Sequence, residues 1–401
     1  MKLFLEVVPV EEAVAAVRRI APPVVEETVP LEEAYGRVLA RDISAGEDIP
    51  GFTRSVKDGY AVVAADTTGA GEAMPAMLEN TGRVAMGAAE ARAIAPGQCC
   101  YVPTGGVIPP GADAIVMVEY TEAVGDEVLV HRPVAPGENL IARGEDFAAG
   151  AVVLEAGRRC SPRDLGVLAA LGVAEVPVAA RPRVGIISTG NELVPVAATP
   201  GPAQVRDANT SLASGFVIER GGEPVRYGIV RDERAALEEA LAAAAAECDA
   251  VLLSGGSSKD ERDMCAAVIA DAGEVLIHGV AIAPGKPTIV GRVGPAPVIG
   301  LPGHPASTCV VLIVVAGPLL AAMTGERRAV RTATARLTQN VPSERGRDDY
   351  VRVALDGEGG AAPLFGKSGL LNTLVASSGV VRVPASREGL ETGEEVEVLL
   401  W

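Results

Sequence analysis

Three glycine-bearing turns hold the residues of this chain best placed to do chemistry. They are Thr189-Gly190 with Glu192, Ser254-Gly255-Gly256 with Ser258, and Pro302-Gly303-His304-Pro305 with Ser307. Each follows a short apolar run, RVGIIST, DAVLLS or PVIGL, and two run straight into segments of helical spacing. A helix N-terminus leaves backbone N–H groups unpaired and aimed outward, so such turns can cradle a phosphate. Any one of these glycines is explained as well by the conformation of a strand-to-helix turn. Taken together on one sheet, each beside a hydroxyl or an acid, they favour an anion site. None matches GxGxxG or a Walker loop, which argues against nicotinamide dinucleotides and P-loop nucleotide hydrolysis.

Carboxylates recur in loops at Asp58, Asp146, Glu192, Asp207, Asp232 and Asp263. Singly, each is accounted for as a solvated loop acid or a helix cap, and Asp232, just before a helix, is placed to cap it. As a set beside a phosphate site they have the chemistry to hold Mg2+, a hard cation that takes oxygen ligands and bridges to substrate phosphates. The three histidines, at 131, 278 and 304, are too scattered for a metal triad. His131 and His278 read as strand residues, whereas His304 lies in a candidate turn, where ligand contact and loop packing both remain open. There is no GxSxG elbow, and so few histidines make a Ser-His-Asp arrangement a poor fit.

The elements that must position these residues alternate from about residue 182 onward. Strand RVGIIST, helix TSLASGFVIERGG, strand EPVRYGIV, helix ERAALEEALAAAAAE, strand DAVLLSGG, helix DMCAAVIADAG, strands EVLIHGVAI and APVIGLPG, then an apolar helix from Cys309 to Met323 follow in order. Continuous apolar strands alternating with helices predict a mostly parallel, doubly wound sheet covered on both faces. Such sheets bind ligands at the carboxyl ends of their strands, where the three turns lie. Helical spacing also predicts helices over 10–20 and 31–40, and Ser161-Pro162-Arg163-Asp164 opens another. Residues 46–146 are rich in Gly, Pro and short Val-bearing runs, a β-rich module. The tail from 327 reads as a small β module.

The chain has 401 residues, 48% apolar and 22% charged, the composition of a folded multidomain protein. Aromatics are 3%, too few for base-stacking platforms, and the formal charge of -17 repels nucleic acid and anionic membranes. An anionic ligand therefore has to be held by local devices: amides, a few placed cations or a metal. Six cysteines form no CxxC pair or zinc-spaced cluster. With no signal-peptide pattern at the N-terminus and no apolar run of spanning length, the expected location is cytoplasmic, with reduced thiols.

Eight segments in order, SVKDGYAV, PTGGVIPPGADAIVMVE, ARGED, RPRVGIISTGNELV, DAN, SGGSSKDERD, APGKP and GLPGHPAS, closely resemble the signatures of the molybdopterin molybdenumtransferases. This is the MoeA type, which includes the C-terminal domain of gephyrin. The resemblance implies an α/β multidomain fold: a doubly wound molybdopterin-binding domain over 1–25 and 175–326, a small helical linking region over 26–45 and 147–174, the β-rich module over 46–146, and the C-terminal β module over 327–401. It implies a homodimer, with the active site in a cleft between the doubly wound domain and the β-rich module of the other subunit. The implied reaction is Mg2+-dependent insertion of molybdate into adenylylated molybdopterin, releasing AMP and forming molybdenum cofactor. A tungstate-inserting paralogue, or a noncatalytic molybdopterin-binding scaffold, is the alternative. Molybdopterin adenylyltransferase and apo-molybdoenzymes are the implied partners; nucleic acid and membrane are not.

Carried over residue by residue, the resemblance implies catalytic roles for Asp58, Glu192, Asp232 and Asp263, the last three as metal ligands. Thr104, Asp146, Lys286, Pro302, Pro305 and Ser368 are implied substrate contacts, and the residues of the three turns, Thr189, Gly190, Gly255, Gly256, Ser258, Gly303 and His304, are expected to join them. The chain departs from the family pattern at Lys57, usually Met, at Asn191, usually Asp, at His304, usually Asn, and at Gly279 and Ala283, usually Lys. Only five of its 35 basic residues are lysines, at 2, 57, 259, 286 and 367. We expect Lys57 and Lys259 to return to the substrate site the charge missing at 279 and 283, since an ammonium on a flexible stem serves as a point charge from a displaced position.

Overall fold

The computed structural model describes residues 7–88, 91–255, 259–327 and 330–401, with the side chains of 259–263 outside the description. The chain divides into two compact units, one of 42–155 with 167–173, the other of the remaining residues.

In the larger unit, helix α1 (Val10–Ile20) precedes the alternating region. That region runs β1 (Arg183–Thr189), α2 (Asn209–Glu219), β2 (Glu223–Val230), α3 (Arg234–Glu247), β3 (Ala250–Ser254), α4 (Lys259–Ala272), β4 (Glu274–His278), β5 (Ile289–Val293), β6 (Ala296–Leu301) and α5 (Pro305–Val311). The six strands form one sheet in the order β2-β1-β3-β6-β5-β4. The pairs β1–β2, β1–β3 and β3–β6 are parallel, while β5 and β4 add antiparallel at one edge. The register sets Ser188 beside Ser254 and Ser254 beside Leu301, so the three turns read from the sequence leave the sheet side by side.

Both faces are covered, as continuous apolar strands require. On one face Val184, Ile186, Leu252 and Ile299 pack against α1, α2 and the apolar segment after Pro305. On the other, Ile187, Val251, Leu253 and Val298 pack against Leu237 and Leu241 of α3 and Ala266 and Ile269 of α4. The predicted helix from Cys309 to Met323 is present within Pro305–Thr324, with a π-helical stretch at Leu312–Ala316. Its apolar window is long enough to cross a bilayer, but 78% of it is buried in this core.

Two expectations from spacing are corrected. Residues 31–40 form a single 3-10 turn, Leu31–Glu33, followed by extended backbone whose Leu39 bridges to Val178. Gly36 adopts φ +72°, a conformation that ends a right-handed helix, and the segment's apolar residues pack along a strand-like path instead. The second correction is EVLIHGVAI, read as one strand: β4 ends at His278, and Ile282–Ala283 belongs to another sheet. The strand β5, which that reading did not contain, lies between β4 and β6 with its Val290 fully buried. At the opening at Ser161 both bonds run one way: the Ser161 amide and hydroxyl donate to Asp164, at 2.8 and 2.7 Å. Burial alone would raise the Asp164 pKa, but the Arg158 guanidinium and these two bonds outweigh it and hold the carboxyl below its usual range.

The C-terminal strands close on themselves. Asp348–Leu355 pairs with Gly360–Pro363 and with Gly379–Val383, and the run through Thr332–Leu337 and Glu395–Leu400 completes a barrel. Its interior holds Leu337, Val353, Val381 and Val398. Ile282–Ala283 adds to this barrel in parallel with Asp348–Asp349, which brings the APGKP turn against the start of the strand at 348.

The smaller unit is the expected β-rich module. Its six-stranded sheet runs Ala114–Met117, Gly59–Val62, Gln98–Val102, Ala76–Arg83, Glu127–Val130, Thr121–Val124. Cores lie around Val62, Val116 and Val128 and around Ala61, Val102 and Ile115.

Candidate anion-binding site

At the carboxyl end of β1, Thr189 is buried and its hydroxyl donates to Asp232 Oδ1 at 2.6 Å, while the Asn191 amide donates to Asp232 Oδ2 at 2.8 Å. Asp232 therefore pins the turn after β1. It does not cap α3, whose N-terminus has no side-chain cap bond. Glu192 curls over Gly190, its Oε2 2.7 Å from where a Cβ on that glycine would lie, and its carboxylate accepts no hydrogen bond among the described residues. Two carboxylates thus attend one turn, one committed and one free. Gly255 closes the next strand end: a Cβ there would lie 2.2 Å from Thr189 Cγ2, so only glycine lets the two turns approach.

Asp207 stands before α2, where it accepts the Thr210 amide at 3.0 Å and the Thr210 hydroxyl at 2.6 Å, the capping pattern. Beside it Asn209 is nine-tenths buried, and its Nδ2 donates to Ser254 Oγ and to the Gly303 carbonyl, both at 2.9 Å. One amide so ties the turn after β6 to the end of β3. Its Oδ1 is buried without a partner among the described residues. Asn209→Ala is expected to cost about 1–3 kcal/mol, the desolvation left on Ser254 and Gly303, and to raise KM for the anionic substrate. Chemical denaturation with steady-state kinetics checks this; an unchanged KM would remove the positioning role.

Two pockets flank this turn cluster. The larger, of about 530 Å³, is lined by Gly190, Asn191, Asp207, Thr210, Arg226 and Arg231 among others. The smaller, of about 280 Å³, is lined by Ala283, Lys286, Pro302, His304, Arg347 and Ser368 among others, and by no carboxylate. Lys286 is exposed and has no ion-pair partner among the described residues. Arg347 Nε donates to Asp349 at 2.9 Å, with Glu344 at 3.2 Å from its other end. His304 Nδ1 lies 2.8 Å from Ser368 Oγ. A lysine, an arginine, a histidine and a serine hydroxyl share one concave wall, the donor types that bind oxyanions.

The structure brings together Thr189, Gly190, Glu192, Asp232 and Gly255 at the first turns, and Lys286, Pro302, Gly303, His304 and Ser368 at the smaller pocket. Pro305 begins α5 directly behind His304. In the smaller unit Asp58 Oδ1 accepts the Thr104 amide at 2.7 Å, joining two of the expected residues, with Lys57 exposed beside them. Asp146 is exposed on its own loop, and no hydrogen bond joins it to that pair. Gly256 and Ser258, and the side chains of Lys259 and Asp263, lie outside the described residues. No group of three potential metal ligands forms among the described residues.

Sequence reasoning missed Arg347, Arg226, Arg231 and the tie made by Asn209. Arg347 sits in RGRDDY, which reads only as the approach to a strand; its place in the pocket follows from the pairing of Ile282–Ala283 with the barrel. Arg226 lies on edge strand β2, where an arginine ordinarily marks a solvated position, and its Nε donates to Ser214 at 3.0 Å. The thiols take no part: burial pushes Cys99 up to about 12 and Cys160 and Cys309 to about 11, so thiolate chemistry is absent from these positions.

Fold and site define a doubly wound domain with an anion receptor at the carboxyl ends of its strands, carried in one chain with a β-rich unit and a closed barrel. Three family descriptions match: the MoeA N-terminal region (domain I and II) over 8–172, a probable molybdopterin binding domain over 185–322, and the MoeA C-terminal region (domain IV) over 334–401. The chain belongs to the MoeA family. The molybdopterin molybdenumtransferase of Bacillus subtilis is 33% identical over 98% of this chain and 94% of its own length. Molybdopterin molybdenumtransferase 2 of Mycobacterium tuberculosis is 34% identical over 97% of each. A crystal structure of the molybdopterin biosynthesis moeA protein from Pyrococcus horikoshii OT3 superposes with a TM-score of 0.88, at 34% identity over 99% of this chain and 100% of that one.

Proposed function

We propose that this protein is a molybdopterin molybdenumtransferase, which inserts molybdate into adenylylated molybdopterin with release of AMP. The observation that carries the reading is the smaller pocket, in which Lys286, Arg347, His304 and Ser368 meet with no acid on the wall, beside a turn cluster suited to phosphate. That wall offers a tetrahedral dianion an unpaired lysine and several hydrogen-bond donors. The larger pocket, with Arg226 and Arg231 and the amides of the turn after β1, suits the phosphate-bearing organic substrate. The dithiolene sulfurs displace oxygen from the oxyanion, so no protein nucleophile is needed. This agrees with thiols that burial keeps protonated.

Mg2+ belongs to the proposal. It binds through one or two carboxylates together with substrate phosphates, and Glu192 and Asp232 at one turn supply that number. Glu192, with no competing hydrogen bond, is the ligand of the two; Asp232 holds the turn. When bound, the cation would neutralise phosphate charge on a protein that is itself strongly acidic.

A homodimer is part of the same reading. Val375, 88% exposed, lines an apolar groove with Phe216, Leu312, Ile313 and Trp401, which a second copy would cover. AMP release from adenylylated molybdopterin, followed with and without molybdate while light scattering reports mass, tests both parts. Release should require the oxyanion and Mg2+ and fall with the dimer fraction on dilution. Oxyanion-independent release, or full activity from a monomer, would contradict them.

A further inference from the structure

Resting on that reading, we propose that His304 takes up a proton when a tetrahedral dianion enters the smaller pocket, and that this proton frees the Ser368 hydroxyl to bind it. The pair is fixed by backbone on both sides. Thr308 Oγ1 donates to the Pro302 carbonyl at 2.6 Å, which locks the turn carrying His304, and the Ala306 amide donates to the Ser368 carbonyl at 3.1 Å. The 2.8 Å contact between His304 Nδ1 and Ser368 Oγ is therefore not an accident of two mobile side chains.

A bare Nδ1 on the neutral ring accepts the serine O–H, which occupies the only hydrogen Ser368 has to give. Protonation at Nδ1 reverses the bond: the ring donates to Ser368 Oγ, Nε2 keeps its hydrogen, and the hydroxyl hydrogen turns outward. The proton comes from solvent and ends on Nδ1, so nothing else changes hands. A single uptake thus adds a positive charge and a hydrogen-bond donor to the wall.

The surrounding charges set the direction of the coupling. Lys286 from the APGKP turn and Arg347 from the approach to the barrel line the pocket with His304, and Lys367 stands exposed next to Ser368. The acids nearby, Asp349 and Glu344, are engaged with Arg347. Arg347 is thus compensated, whereas Lys286 has no ion-pair partner among the described residues and opposes a further charge on the wall; a dianion beside it reverses that. Since linkage is reciprocal, the anion favours the proton and the proton favours the anion.

Calorimetry of the full chain with molybdate alone, at pH 6.5 and 8.5 in two buffers of different ionisation enthalpy, reads both effects. We expect proton uptake on binding of the oxyanion at the higher pH, and affinity more than about tenfold weaker there, as linkage of close to one proton across two pH units requires. His304→Asn, whose amide can still bond Ser368 but cannot take a proton, should lose the uptake and flatten the pH slope; His304→Gln serves as a second variant should the first misfold. Equal slopes in variant and wild type, or binding with no proton uptake, would overturn the inference. Linked binding without AMP release would leave it standing and count instead against the transferase reading, whereas AMP release with no coupling at His304 would do the reverse.

Discussion

Arg347→Ala is expected to lower oxyanion-dependent AMP release about 100-fold, the scale of losing one preorganised donor at a developing or bound oxyanion. The loss should appear mainly as weaker use of molybdate, because Arg347 reaches the pocket and not the turns at β1. The side chain is 40% exposed and its pair with Glu344 lies at the surface, where such pairs contribute about 0–1 kcal/mol. Asp349 is buried and would keep the Ser343 hydroxyl as a donor, so losing its bond from Arg347 should cost about 1–3 kcal/mol of stability. Arg347→Lys should recover only part of the activity: the charge returns, but not the planar group that can hold Asp349 and still present an N–H to the pocket. Kinetics at varied molybdate with a melting curve for each variant decide the matter. A variant with unchanged KM for molybdate would take Arg347 out of the site.

The second large effect separates two carboxylates that the sequence treats alike. Glu192→Ala should abolish Mg2+-dependent AMP release, by about 100-fold or more, while the melting temperature stays within a degree or two. Among the described residues the Glu192 side chain accepts no hydrogen bond that its loss would strand. Asp232→Ala should lower activity and stability together, because the buried Thr189 hydroxyl and the Asn191 amide lose their acceptor, a cost of about 1–3 kcal/mol. Asp232→Asn, which can still accept from Thr189, should regain part of the stability. Titration of Mg2+ against activity, with denaturant unfolding of all three variants, tests the division of labour. Equal destabilisation by Glu192→Ala and Asp232→Ala would erase it.

What the residues disclosed, and what they concealed, follows the range of the interactions involved. The runs RVGIIST, DAVLLS and PVIGL are legible because a strand buried on both faces must be apolar throughout, and their turns then fall at the ligand edge of the sheet. The segment 31–40 misled because its apolar residues keep helical spacing while Gly36 sits at a positive φ that no spacing rule contains. The smaller pocket was half legible. Lys286, His304 and Ser368 lie in motifs, but Arg347 enters only through the pairing of Ile282–Ala283 with Asp348–Asp349 across more than sixty residues, which local pattern does not encode. The Asn209 tie is of the same kind: the motif DAN names the residue, and only the fold shows that its amide joins Ser254 to Gly303.

The central claim, that this chain places molybdate on the dithiolene of adenylylated molybdopterin, is tested most directly by reconstitution. Purified protein is given adenylylated molybdopterin, Mg2+ and molybdate, and the product is transferred to an apo-molybdoenzyme whose activity is read. The account predicts AMP released in step with active enzyme formed, with both lost in Arg347→Ala and in Glu192→Ala. Tight binding of molybdopterin with neither AMP nor reconstituted enzyme, in the presence of either molybdate or tungstate, would contradict it and mark the chain as a binding protein.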